Sequence, residues 1–362
     1  MKVIIAGGGT GGHLFPAVAL GEELKRQRPD SDVLHVGTSN GLEASWLPTS
    51  GLKYKLFPVR GLRGKGPLTR LRAIGEFFAA IRRAYALRKS FGADLVVSAG
   101  GYASAPMAVA AIISRIPLVL MEQNTRPGLS NRMLWRFARK VCVGFADTAT
   151  FFDASRVVIT GNPVRLRFIP GYRLKTSVPL QILVLGGSSG AHRLNLGVLN
   201  ALKILGKTVI KLNVLHQTGE ADVGLVTDGY RSFDGEAKVV PFIEDMANVL
   251  DSADLIVARS GAMTVSEIAL AGRAAIFVPY PFHRDKQQEL NAHVIERLGG
   301  AVIVNDDDSL GENLAAELRK LLSEPPRLIE MGRRANEAAK PDAAARIAQV
   351  CFEIVDSEKQ AA

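Results

Sequence analysis

The sequence predicts an α/β protein made of two doubly wound domains that face a central cleft. Its 362 residues suit two hydrophobic cores better than one. Short apolar runs recur at the spacing of alternating strands and helices, and each half of the chain opens with a strand and a glycine-rich turn. The 47% hydrophobic and 22% charged residues are typical of a folded globular protein.

The two halves begin with the same pattern. Residues 4–13 align with residues 183–192, so that an apolar strand, a glycine-rich turn and a histidine occur in each. This order is how a Rossmann-like domain starts. We therefore predict an N-terminal domain over 1–163 and a C-terminal domain over 164–341. A helix over about 342–362 is expected to pack back on the first domain.

Further apolar runs predict the other strands of the two sheets. These runs lie at 33–36, 95–98, 118–121 and 157–160 in the first half, and at 211–216, 238–241, 254–258, 274–279 and 301–304 in the second. Parallel sheets bind ligands outside the carboxyl ends of their strands. The glycine-rich turns of the two domains are therefore expected to line the cleft.

Cysteine content and hydropathy argue against several classes of protein. Cys142 and Cys351 are the two cysteines, so no disulfide framework or cysteine-based metal site is predicted, and a reducing cytoplasm is expected. The first apolar run is too short for a signal peptide. The longest, over 105–113, falls well below the roughly 20 residues of a membrane-spanning helix.

Positive charge is concentrated in the first half of the chain. Residues 1–163 hold 22 lysines and arginines against 10 acidic residues, whereas residues 164–362 hold 23 against 25. This asymmetry predicts an anionic partner, whether nucleic acid, an acidic membrane surface or a phosphorylated substrate. We find no nucleic-acid module or aromatic-interleaved basic patch in the sequence, so no nucleic-acid partner is predicted.

A basic amphipathic segment lies within that half. Between Arg60 and Lys89 there are nine lysines and arginines and one acid, Glu76. Residues expected to face a membrane recur there at helical spacing or lie between such positions: Leu68, Arg70, Leu71, Arg72, Ile74 and Phe78. A helix of this kind can lie in an anionic leaflet, and the alternative is a core helix with a solvated basic face.

The glycine-rich turn over 7–12 matches the G-x-G-x-x-G dinucleotide fingerprint. A dinucleotide site also needs an acidic residue at the end of the second strand, but that strand ends in Gly37-Thr38-Ser39. The turn is therefore interpreted as a loop of backbone N–H groups for an anion or a polar oxygen, or simply as a tight turn. A second glycine loop, over 98–106, is predicted to grip a diphosphate together with it.

The most specific segment runs over 254–292. A strand meets Ser260-Gly261-Ala262 and then a helix that carries Glu267. Small residues let a phosphate approach the helix N-terminus, and a carboxylate one turn into the helix can accept both ribose hydroxyls. The amides and carboxylates over 285–292 suit sugar hydroxyls. The alternative is an ordinary capped helix with a polar loop.

Together these motifs resemble glycosyltransferase family 28. The resemblance covers nearly the whole chain and rests on residues 8–17, 100–102, 122–124, 161–165, 186–188 and 254–292. It implies the GT-B fold and an inverting transfer of N-acetylglucosamine from UDP-GlcNAc to the muramoyl C4 hydroxyl of lipid I, which gives lipid II for peptidoglycan. It also implies no essential metal or other cofactor.

The resemblance further implies a peripheral location on the cytoplasmic face of the bacterial inner membrane. The partners it implies are UDP-GlcNAc, undecaprenyl-linked lipid I, the anionic membrane surface, and cell-wall synthesis and division proteins. Two alternatives share part of the pattern. A UDP-GlcNAc 2-epimerase or another GT-B lipid glycosyltransferase would share the fold, and a nucleotide-sensing protein would need only the donor segment.

Carried over position by position, the resemblance assigns the substrate contacts. The donor contacts are Thr10, Gly11, Gly12, Asn124, Arg165, Ser188, Ile243, Ala262, Met263, Thr264, Val265, Ser266, Glu267 and Gln288. Glu267 would hold the ribose, Gln288 the GlcNAc hydroxyls, and Ile243 the uracil. The residues expected at the acceptor's diphosphate and sugar are Gly100, Gly101, Tyr102 and Ser104.

Attack by the acceptor hydroxyl requires a general base, and His13 is the candidate. The alternative is a histidine that only shapes the loop.

Overall fold

The computed structural model describes residues 1–58, 67–102, 104–164, 179–187, 190–206 and 211–361, with the backbone alone for 67–74. The chain divides into two compact units. Unit 1 consists of Met1–Arg165 and Lys340–Ala362, and unit 2 consists of Leu166–Ala339.

Unit 1 is built around a parallel sheet. Its strands are β1 (Lys2–Ala6), β2 (Asp32–Thr38), β3 (Tyr54–Phe57), β4 (Leu95–Ser98), β5 (Leu118–Glu122), β6 (Lys140–Val143) and β7 (Val157–Ile159). Its first five helices are α1 (Gly11–Gln27), α2 (Leu42–Trp46), α3 (Pro67–Phe91), α4 (Ala105–Ile113) and α5 (Leu129–Leu134). The strand order is β3-β2-β1-β4-β5-β6-β7, so the direction of winding reverses between β1 and β4.

Unit 2 repeats this architecture. Its strands are β8 (Leu180–Leu185), β9 (Leu212–Gln217), β10 (Ala237–Val240), β11 (Leu255–Ala258), β12 (Ala274–Phe277) and β13 (Ala301–Ile303). Its helices are α6 (His192–Leu205), α7 (Val223–Gly229), α8 (Met246–Ser252), α9 (Ala262–Ala271), α10 (Gln287–Glu296), α11 (Leu310–Leu322) and α12 (Pro325–Asn336). The order β10-β9-β8-β11-β12-β13 reverses between β8 and β11.

The alternation of side chains along β1 explains why its apolar run is continuous. Val3 and Ile5 face one side of the sheet and join a core with α1 and the C-terminal helix. Ile4 and Ala6 face the other side and join a core with α3 and α4. A parallel sheet covered on both faces needs apolar residues at every position of its central strands. The predicted fold class of two doubly wound α/β domains is confirmed.

The C-terminal helix, α13 (Ala343–Ala361), packs against α1 within unit 1. Ile347, Cys351 and Val355 are buried at intervals of four residues, which places them on one face of the helix. Arg28, just after α1, pairs with Asp356 at 2.6 Å. In the described part of the chain, no helix combines the length and apolar character needed to span a bilayer.

Candidate functional site

Two glycine loops of unit 1 meet where the strand order reverses. The first, residues 7–10, follows β1, and the second, residues 100–102, follows the adjacent strand β4. Gly100 and Gly101 have left-handed backbones, with φ of 87° and 78°, which favour glycine. A Cβ on Gly101 would lie 2.8 Å from the carbonyl oxygen of Gly8. The loops therefore contact each other backbone to backbone at the position where such sheets bind ligands.

His13, in the first turn of α1, lies against the second loop. Its Nδ1 is 3.0 Å from the carbonyl oxygen of Ala99 and 3.2 Å from Oε1 of Gln123. The Gln123 amide nitrogen donates to the same carbonyl at 2.9 Å, which turns its oxygen toward the histidine. Because two acceptors face Nδ1, this nitrogen carries the proton of the neutral ring. Nε2 then holds the lone pair and can accept a proton beside Gly101.

The side chains of the second loop differ in exposure. Tyr102 is 40% exposed, and its ring covers Gly9, where a Cβ would lie 3.0 Å from a ring carbon. Ser104 is fully buried. Its hydroxyl donates to the Gly101 carbonyl at 3.1 Å and accepts from the Ser98 hydroxyl at 2.9 Å. Tyr102 thus presents a ring to solvent, whereas the Ser104 hydroxyl shapes the loop from below.

The sequence predicts that the backbone N–H groups of the first loop are free for a ligand, but one of them is already bonded. The Gly9 N–H donates to both carboxylate oxygens of Glu43, at 2.8 and 2.9 Å. Thr10 is exposed and begins α1 with an extended backbone, and Gly11 and Gly12 are the first helical residues. N–H groups in a first helical turn have no intrahelical acceptor. The N–H groups suited to a ligand therefore start after Gly9.

Asn124 lies on a turn that follows β5. Its backbone N–H and its side-chain amide donate to Oε1 of Glu122, at 3.0 and 3.3 Å. The other oxygen of Glu122 accepts from Gly128 N and from the Asn131 amide, both at 2.9 Å. The buried Glu122 carboxylate therefore fixes the turn that presents Asn124.

In unit 2 the junction between β11 and α9 lies at the corresponding reversal of strand order, where β11 pairs with β8. Gly261 caps α9 with an extended ψ of 145°, so the first N–H groups of the helix point out of its end. The side chains of Ala262, Met263 and Val265 are buried. The Val265 N–H donates to the Gly261 carbonyl at 2.9 Å, so the N–H groups suited to a ligand are those of the first helical turn, beginning with Ala262 and Met263. Such an N-terminus stabilises an anion.

Three polar residues of the same helix are Thr264, Ser266 and Glu267. Each is partly exposed as a whole residue, but neighbouring groups enclose the carboxyl end of Glu267. The Ser266 hydroxyl donates to the carbonyl of Ala262 at 2.9 Å. Loss of water around the carboxyl group raises the pKa of Glu267 to about 7. Near neutral pH this group therefore exchanges between a carboxylate, which accepts two hydrogen bonds from a diol, and a neutral acid.

Helix α10 is tied to this junction. The Ser260 hydroxyl donates to the Gln288 carbonyl at 2.8 Å, and the Asn291 amide donates to the Ser260 carbonyl at 3.3 Å. The side-chain oxygen of Gln288 accepts from Tyr280 N at 2.9 Å. Gln288 is therefore fixed both by its backbone carbonyl and by its side-chain oxygen. The bond from Tyr280 N to that oxygen sets the direction of the amide NH₂. Ile243, another predicted donor contact, follows β10 and is buried.

An ion-pair network that the sequence analysis did not predict lies under the junction. The buried carboxylate of Asp306 accepts from Arg259 at 2.7 Å and from Arg193 at 2.6 Å. Arg259 also donates to the carbonyls of Val278 and Pro279, at 2.9 and 3.3 Å. The first acid of the Asp306-Asp307-Asp308 run thus joins α6, β12 and the α9 junction. The sequence does hint at this network, because Arg259 comes directly after β11 and Asp306 follows β13.

Several predicted residues lie outside the described residues. They are Arg165, Ser188 and the side chains of Leu68, Arg70, Leu71, Arg72 and Ile74. Of the predicted membrane-facing set, Phe78 is described and is 64% exposed. Within the described part of the chain, no group of three His, Cys, Asp or Glu side chains is close enough to hold a metal ion.

These two parallel-sheet units, each with a strand-to-helix junction at its switch point, define a glycosyltransferase of the GT-B fold. Residues 3–143 match the glycosyltransferase family 28 N-terminal domain, and residues 181–347 match the family 28 C-terminal domain. The chain therefore belongs to glycosyltransferase family 28, in the group that contains MurG.

Individual relatives agree with this assignment. The chain is 40% identical over 352 residues to the UDP-N-acetylglucosamine–N-acetylmuramyl-(pentapeptide) pyrophosphoryl-undecaprenol N-acetylglucosamine transferase of Geobacter sulfurreducens, covering 96% of this chain and 97% of that protein. It matches the crystal structure of Acinetobacter baumannii MurG with a TM-score of 0.77 and 33% identity, over 97% of this chain and 99% of that one.

The alternative of an epimerase shares the fold. The UDP-GlcNAc 2-epimerase of Neisseria meningitidis, solved bound to UDP-GlcNAc, matches with a TM-score of 0.67 over 98% of this chain and 100% of that one. Its identity is 14%, so the likeness extends to the fold alone.

Proposed function

We propose that this chain transfers N-acetylglucosamine from UDP-GlcNAc to the C4 hydroxyl of the muramoyl sugar of lipid I, with inversion, and so makes lipid II. The observation that carries the proposal is the geometry of His13 in a chain that matches relatives of this activity along nearly its whole length. Its Nε2 lies at the contact of the two glycine loops, 3.4 Å from where a Cβ on Gly101 would be. We expect the acceptor hydroxyl to meet Nε2 there.

In the proposed reaction the acceptor hydroxyl gives its proton to Nε2 of His13 as its oxygen bonds to the anomeric carbon. The bond from that carbon to the UDP oxygen breaks, and UDP leaves with the electron pair. The first N–H groups of α9 stabilise the charge that builds on the leaving diphosphate, which is the largest contribution such a site makes. No metal or other cofactor is needed for these steps.

The remaining predicted contacts divide between donor and acceptor. For the donor, Glu267 accepts the ribose hydroxyls, Gln288 meets the GlcNAc hydroxyls, and Ile243 flanks the uracil. Gly100, Gly101 and Tyr102 meet the acceptor, with Ser104 supporting their loop. The other proposed donor contacts are Thr10, Gly11, Gly12, Asn124, Arg165, Ser188, Ala262, Met263, Thr264, Val265 and Ser266.

One assay tests the activity against its alternative. The chain is incubated with radiolabelled UDP-GlcNAc and a lipid I analogue, and label is followed into the extracted lipid. Transfer that needs both substrates is the expected result. Conversion of UDP-GlcNAc to its 2-epimer without an acceptor would support the epimerase instead.

We also propose that unit 1 binds the cytoplasmic face of the plasma membrane as a peripheral protein, because lipid I is embedded there. Phe78 on α3 is exposed, and α3 packs against α4, which in turn contacts α5. Leu129, Met133 and Phe137, on α5 and the short helical turn after it, are 65%, 65% and 61% exposed at intervals of four. Arginines lie between them in the sequence, a combination that suits an anionic leaflet.

Vesicle sedimentation tests this surface. Binding is expected to rise with the content of anionic lipid and to fall in a Phe78→Asp, Met133→Asp double variant. Leu225→Asp is the matched control, since Leu225 is a comparable exposed apolar residue in unit 2. Vesicle binding that does not depend on the content of anionic lipid, or an equal loss of binding in the control variant, would contradict membrane docking by unit 1.

A further inference from the structure

A buried carboxylate lies under the first glycine loop. Glu43, on α2, is 0% exposed. Its Oε1 accepts from the backbone N–H and the hydroxyl of Thr38, both at 2.8 Å. Both of its oxygens also accept from the Gly9 N–H, at 2.8 and 2.9 Å. One side chain therefore joins the end of β2 to the first glycine loop.

Three glycines from different segments make room for this carboxylate. A Cβ on Gly8, Gly37 or Gly41 would lie 2.2, 2.5 or 2.4 Å from the nearest atom of Glu43. Such distances are far below van der Waals contact, so any larger residue would displace the carboxylate. The backbone is thus shaped around Glu43 on three sides.

The opposite side of the same loop contacts the second glycine loop. The Gly8 carbonyl lies against Gly101, and the Tyr102 ring covers Gly9. The second loop in turn contacts the ring of His13, since a Cβ on Gly100 would lie 3.1 Å from Nδ1. Residues 8 and 9 are therefore clamped between the Glu43 carboxylate and the loop that holds His13.

We propose that Glu43 is a positioning residue for the transfer reaction. By accepting the Gly9 N–H, the Glu43 carboxylate holds the first glycine loop in contact with the second. It thereby fixes the place where an acceptor hydroxyl meets Nε2 of His13. This inference rests on the proposed function, because it concerns the base of that reaction. It assigns Glu43 no contact with either substrate.

The test compares turnover with donor affinity. In Glu43→Gln a single acceptor oxygen remains, and the amide NH₂ opposes the Gly9 N–H. We expect kcat to fall about tenfold in this variant and about 10²-fold in Glu43→Ala, since a misplacement near 1 Å costs that much. KM for UDP-GlcNAc is expected to change less than kcat. Most of the proposed donor contacts, including the ribose contact, lie in unit 2, while Thr10, Gly11 and Gly12 are the ones that adjoin Gly9.

Asp94→Asn is the matched control. Asp94 also accepts a backbone N–H, from Lys2 at 2.7 Å, but it lies beside the amino ends of β1 and β4, whereas the glycine loops follow their carboxyl ends. Its loss is expected to lower the melting temperature without lowering kcat. Gly41→Ala serves as a second variant that keeps Glu43 but displaces its carboxylate, and its kcat is expected to fall as well.

The outcomes separate the two proposals. If the wild-type chain transfers no GlcNAc to the lipid I analogue, the proposed function fails. If the wild type is active and kcat of Glu43→Gln and Gly41→Ala equals that of Asp94→Asn, the positioning role of Glu43 is overturned while the function stands.

Discussion

The first glycine turns of unit 1 and unit 2 share a sequence pattern, yet their histidines meet different partners. His13 is the third residue of α1, and its Nδ1 faces the Ala99 carbonyl and the Gln123 amide oxygen. His192 is the first residue of α6, and its Nδ1 lies 2.9 and 3.1 Å from the carboxylate oxygens of Asp222. The His192 side chain is 58% exposed.

The difference shows that the repeated pattern specifies the fold, while residues from other strands specify the chemistry. Neutral acceptors beside a partly buried ring fix its tautomer and leave Nε2 as a base. A carboxylate beside an exposed ring forms a hydrogen bond near the surface, which contributes little. We therefore expect His13 in unit 1 to control turnover, and Glu267 in unit 2 to contribute more to donor affinity than His13 does.

Removing each histidine in turn has the largest expected effect. His13→Ala should lower kcat by about 10²–10⁴-fold, the usual contribution of a general base. His192→Ala is the matched control and should change kcat less than about threefold. Steady-state kinetics at saturating substrates, with circular dichroism to verify folding, make the comparison. A decrease of less than about tenfold in a folded His13→Ala protein would leave this histidine only a loop-shaping role.

The sequence was sufficient for the fold class and for most of the strands. The site residues stay predictions. The strand predicted over 95–98 is β4 in the structure, and the other predicted strands agree to within a few residues. Two strands were not predicted: β3, an edge strand that mixes lysine and tyrosine with apolar residues, and β6, a short strand that begins with a lysine. Short or half-polar runs lack the periodicity that identifies a strand.

The partners of the site residues were beyond prediction. Glu43 is 34 residues from Gly9 in sequence, and Asp306 is 47 residues from Arg259. Each bond depends on which strands become neighbours, and no local pattern encodes that. In the sequence, each of the glycines near Glu43 looks like an ordinary turn residue. Only the structure shows that all three lie against the same carboxylate.

The ion pairs under the unit 2 junction provide the next test. Asp306→Asn leaves the buried Arg259 without its carboxylate partner, so the free energy of unfolding should fall by about 3 kcal/mol. Asp308→Asn is the control, because Asp308 is fully exposed and should change stability by less than about 0.5 kcal/mol. Chemical denaturation of both variants measures the difference, and equal midpoints would contradict a structural role for Asp306.

Glu267→Ala should raise KM for UDP-GlcNAc by about 10–100-fold, because a charge-assisted hydrogen bond contributes about 1.5–3 kcal/mol. Glu296→Gln, a surface change on α10, is the control and should leave KM within about twofold. Initial rates at varied donor concentration provide the values. An unchanged KM in Glu267→Ala would remove the ribose assignment.

The smallest expected effect is a dependence on pH. The pKa of Glu267 is about 7 in the folded chain and about 4.5 when unfolded, so the folded state holds the proton more tightly. The stability this group contributes is therefore full below pH 4.5 and is lost as pH rises through 7. Glu267→Gln should raise the melting temperature at pH 8 but not at pH 4.5. Donor KM of the wild type should rise as pH falls below 7, and in Glu267→Gln that change should be absent.

The different roles of His13 and Glu267 are tested most directly by titration calorimetry, which measures the affinity of one variant at each residue for UDP-GlcNAc. We predict that His13→Ala binds the donor within about threefold of the wild type while its kcat falls by at least about 10²-fold. We predict that Glu267→Ala loses at least about tenfold in donor affinity. Equal losses of donor affinity in the two variants would contradict the account.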